Sequence, residues 1–256
     1  MCVCFSHTSS FSTNYTIYKT VAAYEFLTQM TDDWKDEHIS HYIPIASPFG
    51  GAIGTVISTA AGYALDITIP SFIRRKILWP VQSAAPSGAY LFPVPGQWNE
   101  NVPVAQTKSK EYFASMLDYL KMYDDLGLGN AKSLFKGMIV RASLWSEEFP
   151  KPLRTGSIHV IWSTYGDENT TPEGVVFERD FSIEGDDPGN PVETKTCIGD
   201  GTVPKYSLER FRQWGTVDSL DNNNVKDTHF NDAEHKSIMS NTNVLKKIVL
   251  VLSDVA

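Results

Sequence analysis

Short apolar runs separated by polar residues are the main pattern of this chain. Apolar runs of about four to eight residues, bounded by turn residues, predict β-strands. Runs of this kind occupy residues 2–5, 38–45 and 157–163, residues 174–181 alternate as in a hairpin strand, and residues 193–198 lead into the segment GDGTVP. The clearest is 157–163, which contains Ile158, Val160 and Ile161.

A second pattern places apolar residues three and four positions apart, which predicts amphipathic helices. It occupies residues 18–30, 108–125, 130–145 and 243–251. The small apolar residues of 52–64 predict a closely packed helix, and 215–227 is predicted to be a polar loop. Strands that alternate with helices in this way are typical of the α/β class.

Composition describes a globular protein. The chain has 256 residues, of which 42% are hydrophobic and 12% aromatic, so it is long enough to bury a sizeable core. Its net charge of −8 argues against nucleic acid as a partner. No apolar run reaches the roughly 20 residues of a membrane-spanning helix. The first residues lack the basic segment of a signal peptide, so the compartment stays open.

The spacing of potential ligands predicts neither a metal nor a cofactor. Cys2, Cys4 and His7 do not have the spacing of zinc ligands. The acidic segment 184–190 does not have the pattern of a calcium-binding EF-hand loop.

The sequence GDGTVP at 199–204 is the centre of the candidate chemistry. It follows a predicted strand, which puts Asp200 at a strand end between two glycines. His235 lies in a later loop, before the last predicted helix. An Asp after a late strand and a His in the last loop follow the chain order of an α/β-hydrolase triad. Asp200 would then orient His235, and His235 would activate a nucleophile. Alternatively, the GDG segment is a plain turn and His235 a surface histidine.

Two of the motifs that identify a family lie in this part of the chain. GDGTVP at 199–204, followed by Ser207-Leu208 and Trp214, resembles the "GDGTVP…SL…W" signature of the lecithin:cholesterol acyltransferase family. The segment Glu234-His235, followed by Ile238 and Asn241, is similar to the same family.

Two further motifs precede these in the expected order. Residues 34–51 resemble the family's "WKDKYI…fI…aPwgG", and Tyr165-Gly166 with 171–174 resembles "YG…TPeg". The resemblance runs from about Tyr24 to about Asn241.

The resemblance implies a partial α/β-hydrolase fold. It consists of the later strands of the sheet and a helical cap insertion. We expect one incomplete domain over 1–256, with the cap at about 52–150. Members of the family transfer fatty acyl groups of phospholipids to an alcohol, or release them to water, through a serine acyl-enzyme. The implied partners are a phospholipid acyl donor and a lipid alcohol or water, and peripheral contact with a membrane is a further expectation. Asp200 and His235 take the places of the catalytic acid and histidine.

The nucleophile of such a site is absent from the sequence pattern. An α/β-hydrolase presents its serine in a G-x-S-x-G turn after the central strand, and the 256 residues contain no such pattern. After the run 2–5 the chain reads SHTSS, which puts Thr8 at the nucleophile position. Serines replace both glycines there, and a Cβ at either position would crowd the turn. Counting back without gaps from Phe26 places the turn at 16–20 instead, where there is no serine.

This gap leads to two expectations. The sequence begins at about the nucleophile strand, so the earlier strands and the nucleophile turn are missing, and the remaining sheet would expose an apolar edge that makes the chain alone marginal or insoluble. Either the chain is a truncated product or a mispredicted gene model of a lipid O-acyltransferase, inactive by itself, or it is a degenerate member. A non-catalytic lipid-binding protein is the alternative function, since binding needs the pocket and the cap but no nucleophile.

Overall fold

The computed structural model describes residues 2–5, 18–62, 70, 73–141, 160–182, 188–215, 225–231 and 233–253. The chain divides into two compact units. Unit 1 comprises Met1–Phe49, Ser146–Thr170 and Ile198–Ala256, and unit 2 comprises Gly50–Trp145 and Thr171–Cys197.

The described residues form strands and helices that are mixed along the chain. The strands are β1 (Cys2–Phe5), β2 (His41–Pro44), β3 (Ala105–Gln106), β4 (Glu111–Tyr112), β5 (Val160–Gly166), β6 (Asn169–Phe177), β7 (Pro191–Gly199) and β8 (Val225–Phe230). The α-helices are α1 (Tyr18–Gln29), α2 (Asp32–His38), α3 (Ile53–Ala61), α4 (Trp79–Ser83), α5 (Pro86–Ala89), α6 (Met116–Asp125), α7 (Gly129–Arg141), α8 (Lys205–Leu208) and α9 (Thr242–Ser253). A π-helical turn spans Arg74–Leu78, and 3₁₀ segments span Glu209–Gly215 and Ile238–Ser240.

Unit 1 contains a four-stranded sheet in the order β1-β2-β5-β8. Strands β2, β5 and β8 are parallel, and the connections between them are long enough for the crossovers that parallel strands need. This mixed sheet with its helices confirms the predicted α/β class and is consistent with a partial α/β-hydrolase fold. The parallel strands matter for function because their carboxyl ends meet at one edge, where ligands bind in open α/β sheets.

Strand β1 departs from the expectation for a nucleophile strand. It pairs with β2 in the antiparallel direction, from Cys2 opposite Pro44 to Phe5 opposite His41. A doubly wound hydrolase sheet is mostly parallel at its centre. The position of Cys2–Phe5 in the chain order was therefore not sufficient to predict its direction in the sheet.

The core of unit 1 joins the parallel strands to the last helix. Its buried members are Ile43, Ile45, Ala46, Ala233, Ile238, Val244 and Val251. Helix α9 contributes through the spacing of Val244 and Val251, two turns apart, which the sequence pattern predicted. Nearer the start of the chain, Thr31 caps α2. Its side chain accepts a hydrogen bond from the Trp34 N–H at 3.2 Å.

Unit 2 contains a second sheet in the order β4-β3-β6-β7. Strands β3 and β4 form a short antiparallel hairpin, and β3 is parallel to β6. Gly174 in β6 is required by close packing, because a Cβ there would lie 2.2 Å from the Pro103 carbonyl oxygen. The chain leaves unit 1 within β6, after Thr170, and returns within β7, at Ile198.

Three sequence predictions of local structure need correction. The helix predicted over 108–125 begins only at Met116, because the hairpin occupies the preceding residues and Ser115 caps the helix by accepting from the Asp118 N–H at 3.0 Å. The predicted polar loop 215–227 contains the start of β8. The strand predicted over 174–181 begins earlier, at Asn169, and ends at Phe177. Among the described residues, no helix has the length and apolarity needed to cross a membrane.

Candidate active site

The GDGTVP segment forms a tight turn around the carboxylate of Asp200. Asp200 Oδ1 accepts hydrogen bonds from the backbone N–H groups of Thr202 at 3.0 Å and Val203 at 2.7 Å. The Asp200 N–H donates to the Val203 carbonyl oxygen at 3.1 Å, which closes the turn. Gly201 has a φ of +88°, a conformation that glycine adopts without strain. The local sequence therefore fixes one carboxylate oxygen and leaves the other, Oδ2, directed elsewhere.

The second carboxylate oxygen contacts His235. Asp200 Oδ2 lies 2.6 Å from His235 Nδ1, and the His235 N–H donates to the Asp200 carbonyl oxygen at 2.8 Å. The Asp200 side chain is fully buried and that of His235 is 8% exposed. Because an ionised carboxylate only accepts, Nδ1 carries the proton in this pair. Nε2 is then the ring nitrogen available to accept a proton from another group.

Tertiary pairing brings Asp200 to the carboxyl end of β5. Residue Asn169, just beyond that end, forms a parallel bridge with Asp200. The chain between them makes the excursion through β6 and β7, and the return at Ile198 places the Asp200 turn beside the strand it left. His235 reaches the same edge because it follows β8, the parallel neighbour of β5.

Gly166, the last residue of β5, sets the position of the His235 loop. A Cβ built on Gly166 would lie 1.7 Å from the Ala233 carbonyl oxygen, a distance that no side chain could occupy. The backbones of the strand end and the loop therefore approach each other directly, two residues before His235. The Tyr165-Gly166 motif is recognisable in the sequence, but the motif does not predict that Gly166 contacts Ala233.

Polar side chains surround the base of the turn. Lys205, the first residue of α8, forms an ion pair with Asp167 at 2.8 Å, and this hydrogen bond raises the pKa of Lys205. Tyr165 Oη lies 3.0 Å from Glu209 and 3.1 Å from Asp227. Arg212 bridges the same two carboxylates, at 3.0 Å and 2.6 Å. Of these residues, only Tyr165 lies in a motif that the sequence shows, and the others have no recognisable spacing.

The turn that follows β2 has an unusual backbone. Ala46 has a φ of +50°, which is uncommon for a residue with a Cβ and occurs at functional sites. Its N–H donates to the Thr164 carbonyl oxygen of β5 at 2.7 Å. Arg210 donates to the Phe49 carbonyl oxygen at 3.1 Å, and burial lowers the pKa of Arg210 to about 9. The turn is thus held by β5 through Thr164 and by the 3₁₀ segment Glu209–Gly215 through Arg210.

The structure therefore brings together two of the three sequence-predicted site residues. Asp200 and His235 are in direct contact, whereas Thr8 and the rest of the SHTSS segment lie outside the described residues. Within the described ranges, no group of three or more His, Cys, Asp or Glu side chains could hold a metal ion.

Comparison with known proteins gives consistent results. The family model "Lecithin:cholesterol acyltransferase" matches residues 19–136. A phosphatidylcholine-sterol acyltransferase of Mus musculus is 24% identical over 227 residues, which cover 89% of this chain and 47% of that protein. The lecithin-cholesterol acyltransferase-like 1 protein of Arabidopsis thaliana is 26% identical, with 89% of this chain and 46% of that protein covered.

A third relative extends the range of activities. The lysosomal phospholipase A and acyltransferase of Homo sapiens is 26% identical over 234 residues, which cover 89% of this chain and 49% of that protein. These matches support the assignment of the chain to the lecithin:cholesterol acyltransferase family. The chain spans about half the length of the curated relatives it matches.

Proposed function

We propose that this chain carries the acid and base of a lipid O-acyltransferase or phospholipase site. The contact between Asp200 Oδ2 and His235 Nδ1 at 2.6 Å is the observation that supports it. In this role Asp200 holds the imidazole in one orientation and stabilises the positive charge that forms on it. His235 Nε2 takes a proton from the attacking hydroxyl and returns it to the departing one.

The acyl group in this proposal passes through a serine ester. A serine hydroxyl attacks the ester carbonyl of a phospholipid while His235 takes its proton, and the lysophospholipid leaves with a proton from His235. A lipid alcohol or water then attacks the acyl-serine in the same way. Transfer of the acyl group to the alcohol, or its hydrolysis by water, regenerates the serine. The names of the relatives support this pair of outcomes, since they include both an acyltransferase and a phospholipase.

The cap belongs to the same proposal. In it, residues 1–256 form one incomplete hydrolase domain with a cap insertion at about 52–150. The grouping of Gly50–Trp145 with Thr171–Cys197 in one compact unit supports a separate role for this part of the chain. A cap over an apolar pocket excludes water and thereby favours transfer to an alcohol over hydrolysis.

The nucleophile determines how the proposal is tested. The 256 residues contain no G-x-S-x-G, so we expect the chain by itself to show little turnover. The transcript is sequenced from its 5′ end, and the longest reading frame that includes these residues is expressed beside the 256-residue chain. Both are assayed with phosphatidylcholine vesicles, with and without a long-chain alcohol.

The longer protein and the 256-residue chain are expected to differ sharply in turnover. In the longer protein, if it contains G-x-S-x-G, His235→Ala lowers kcat by about 10³–10⁶-fold. The variant His38→Ala, at a histidine whose side chain is 41% exposed, serves as the matched control and leaves kcat unchanged. If His235→Ala retains full turnover there, the assignment of His235 as the base is wrong.

A second candidate function follows from the absent motif. A lipid-binding protein needs an apolar pocket and no nucleophile, so this function is favoured if the longest reading frame has no G-x-S-x-G. Titration of the chain with a fluorescent fatty acid tests it, and the lack of saturable binding contradicts it.

A further inference from the structure

The backbone of the Asp200 turn is connected to the segment after β5 and to the His235 loop. The turn closes on itself through the bonds of Asp200 with Thr202 and Val203. Outward, its backbone is connected by the bridge with Asn169 and by the bond from the His235 N–H. The direction of the carboxylate toward His235 therefore depends on how firmly the turn is held against the end of β5.

An ion pair connects the two chain segments that flank this junction. Asp167 lies between the end of β5 and Asn169, and Lys205 follows the GDGTVP turn directly. Lys205 Nζ lies 2.8 Å from Asp167 Oδ2, with the carboxylate 4% exposed and the lysine side chain 41% exposed. The pair therefore joins the segment that follows β5 to the segment that follows the turn.

Because Asp167 is buried, its carboxylate depends on the ion pair with Lys205. A carboxylate that loses contact with water needs a partner of opposite charge, and Lys205 supplies it. Asp167 Oδ1 is also buried and has no hydrogen-bond partner among the described residues. The carboxylate therefore holds Lys205 strongly, because separating the pair would leave a buried charge with no cation beside it.

We propose that Asp167 and Lys205 are positioning residues, whose ion pair fixes the Asp200 turn so that its carboxylate meets the ring of His235. The catalytic consequence rests on the function proposed above, whereas the effect on the Asp200–His235 hydrogen bond does not. Neither residue touches the reacting atoms. Their role is to keep Oδ2 of Asp200 within hydrogen-bonding distance of Nδ1.

The direct test is the Nδ1 proton of His235, observed by proton NMR in the 256-residue chain with ¹⁵N-labelled histidine. The wild-type chain is expected to show a downfield, slowly exchanging Nδ1–H resonance, assigned by its loss in His235→Ala. Lys205→Met should abolish this resonance, because the turn is released. Lys205→Arg should restore it, since a guanidinium also pairs with the Asp167 carboxylate.

A matched lysine provides the control. Lys110 pairs with Asp125 in unit 2 at 2.6 Å, and its side chain is 39% exposed, close to that of Lys205. Lys110→Met removes a similar ion pair and should leave the His235 resonance unchanged. If Lys205→Met does not fold, the double variant Asp167→Asn with Lys205→Met removes both charges and is measured instead. A folded variant of either kind with an unchanged resonance overturns the proposal.

Measurement of kcat distinguishes this positioning role from the proposed function on which it rests. In an active longer protein, Lys205→Met should lower kcat on the order of 10²-fold, the loss that a displacement of about 1 Å can cause, and leave KM unchanged. If the resonance responds as expected but His235→Ala retains turnover, the positioning role stands and the proposed function fails. A wild-type chain without the resonance lacks the Asp200–His235 hydrogen bond, which contradicts both.

Discussion

His235 is bound to Asp200 twice, through its backbone and through its ring. The His235 N–H donates to the Asp200 carbonyl oxygen at 2.8 Å, and Nδ1 lies 2.6 Å from Oδ2. The first contact fixes the position of the His235 backbone, and the second fixes the rotation of its ring. A surface histidine beside a plain turn would need neither contact, which favours the interpretation of these residues as a functional pair.

The amide variant of the acid tests the second contact. Asp200→Asn keeps the shape of the side chain but allows its NH₂ group to face the ring, which reverses the proton on the imidazole. We expect the Nδ1–H resonance to disappear and, in an active longer protein, kcat to fall by about 10⁴-fold. Asp36→Asn, at an exposed position, is the control and should change neither quantity.

The close approach of Gly166 to Ala233 predicts a steric effect. In Gly166→Ala the new Cβ would lie 1.7 Å from a carbonyl oxygen, so the strand end and the His235 loop must separate. We expect the free energy of unfolding in urea to fall by about 1–3 kcal/mol or more, the usual cost of overpacking.

A second glycine shows whether this effect is specific. A Cβ on Gly137, in α7, meets nothing within 4 Å, and alanine favours the helix by about 1 kcal/mol. Gly137→Ala should therefore be neutral or stabilising. Equal unfolding midpoints for the two variants would contradict the close approach at Gly166.

The start of α6 predicts a smaller change in stability. Ser115 Oγ accepts from the Asp118 N–H at 3.0 Å, and Asp118 Oδ2 accepts from Ser115 Oγ in return. Ser115→Ala should reduce the free energy of unfolding by about 1 kcal/mol, as loss of an N-cap does. Ser87→Ala, at an exposed position, should have no effect in the same thermal or urea measurement.

Asp180 predicts a dependence of stability on pH. Its carboxylate accepts from Thr107 at 2.7 Å and from the Ser109 N–H at 2.8 Å, and these hydrogen bonds lower the pKa of Asp180. A lowered folded pKa stabilises the protein above the unfolded pKa of about 3.9, and this contribution is lost as the pH falls through the folded value.

The measurement compares Asp180→Asn with the parent chain at two pH values. The parent should be more stable at pH 7, and the difference should shrink as the pH falls below about 4. Glu178→Gln, two residues away, controls for loss of a surface charge. A difference that stays constant from pH 7 to pH 3 would show that the hydrogen bonds do not favour the ionised form.

The sequence by itself determined the local structures. Its apolar spacing predicted α1, α3, α9 and most strands, because one buried face per element leaves a periodic pattern. It also determined the Asp200 turn, whose bonds to Thr202 and Val203 join neighbours in the chain. Asp200 and His235, two of the three predicted site residues, were named from motif and chain order.

Only the tertiary structure decided how these pieces meet. The first residues of β8 were predicted as part of a polar loop. The polar side chain of Asp227 there is hydrogen-bonded by Tyr165 of the neighbouring strand and by Arg212 of the 3₁₀ segment. The return of the chain from β7 to Asn169, and the direct backbone contact of Gly166 with Ala233, leave no periodic trace in the sequence. Such contacts join residues far apart in the chain through single atoms, so they depend on the packing of the whole unit rather than on any local preference.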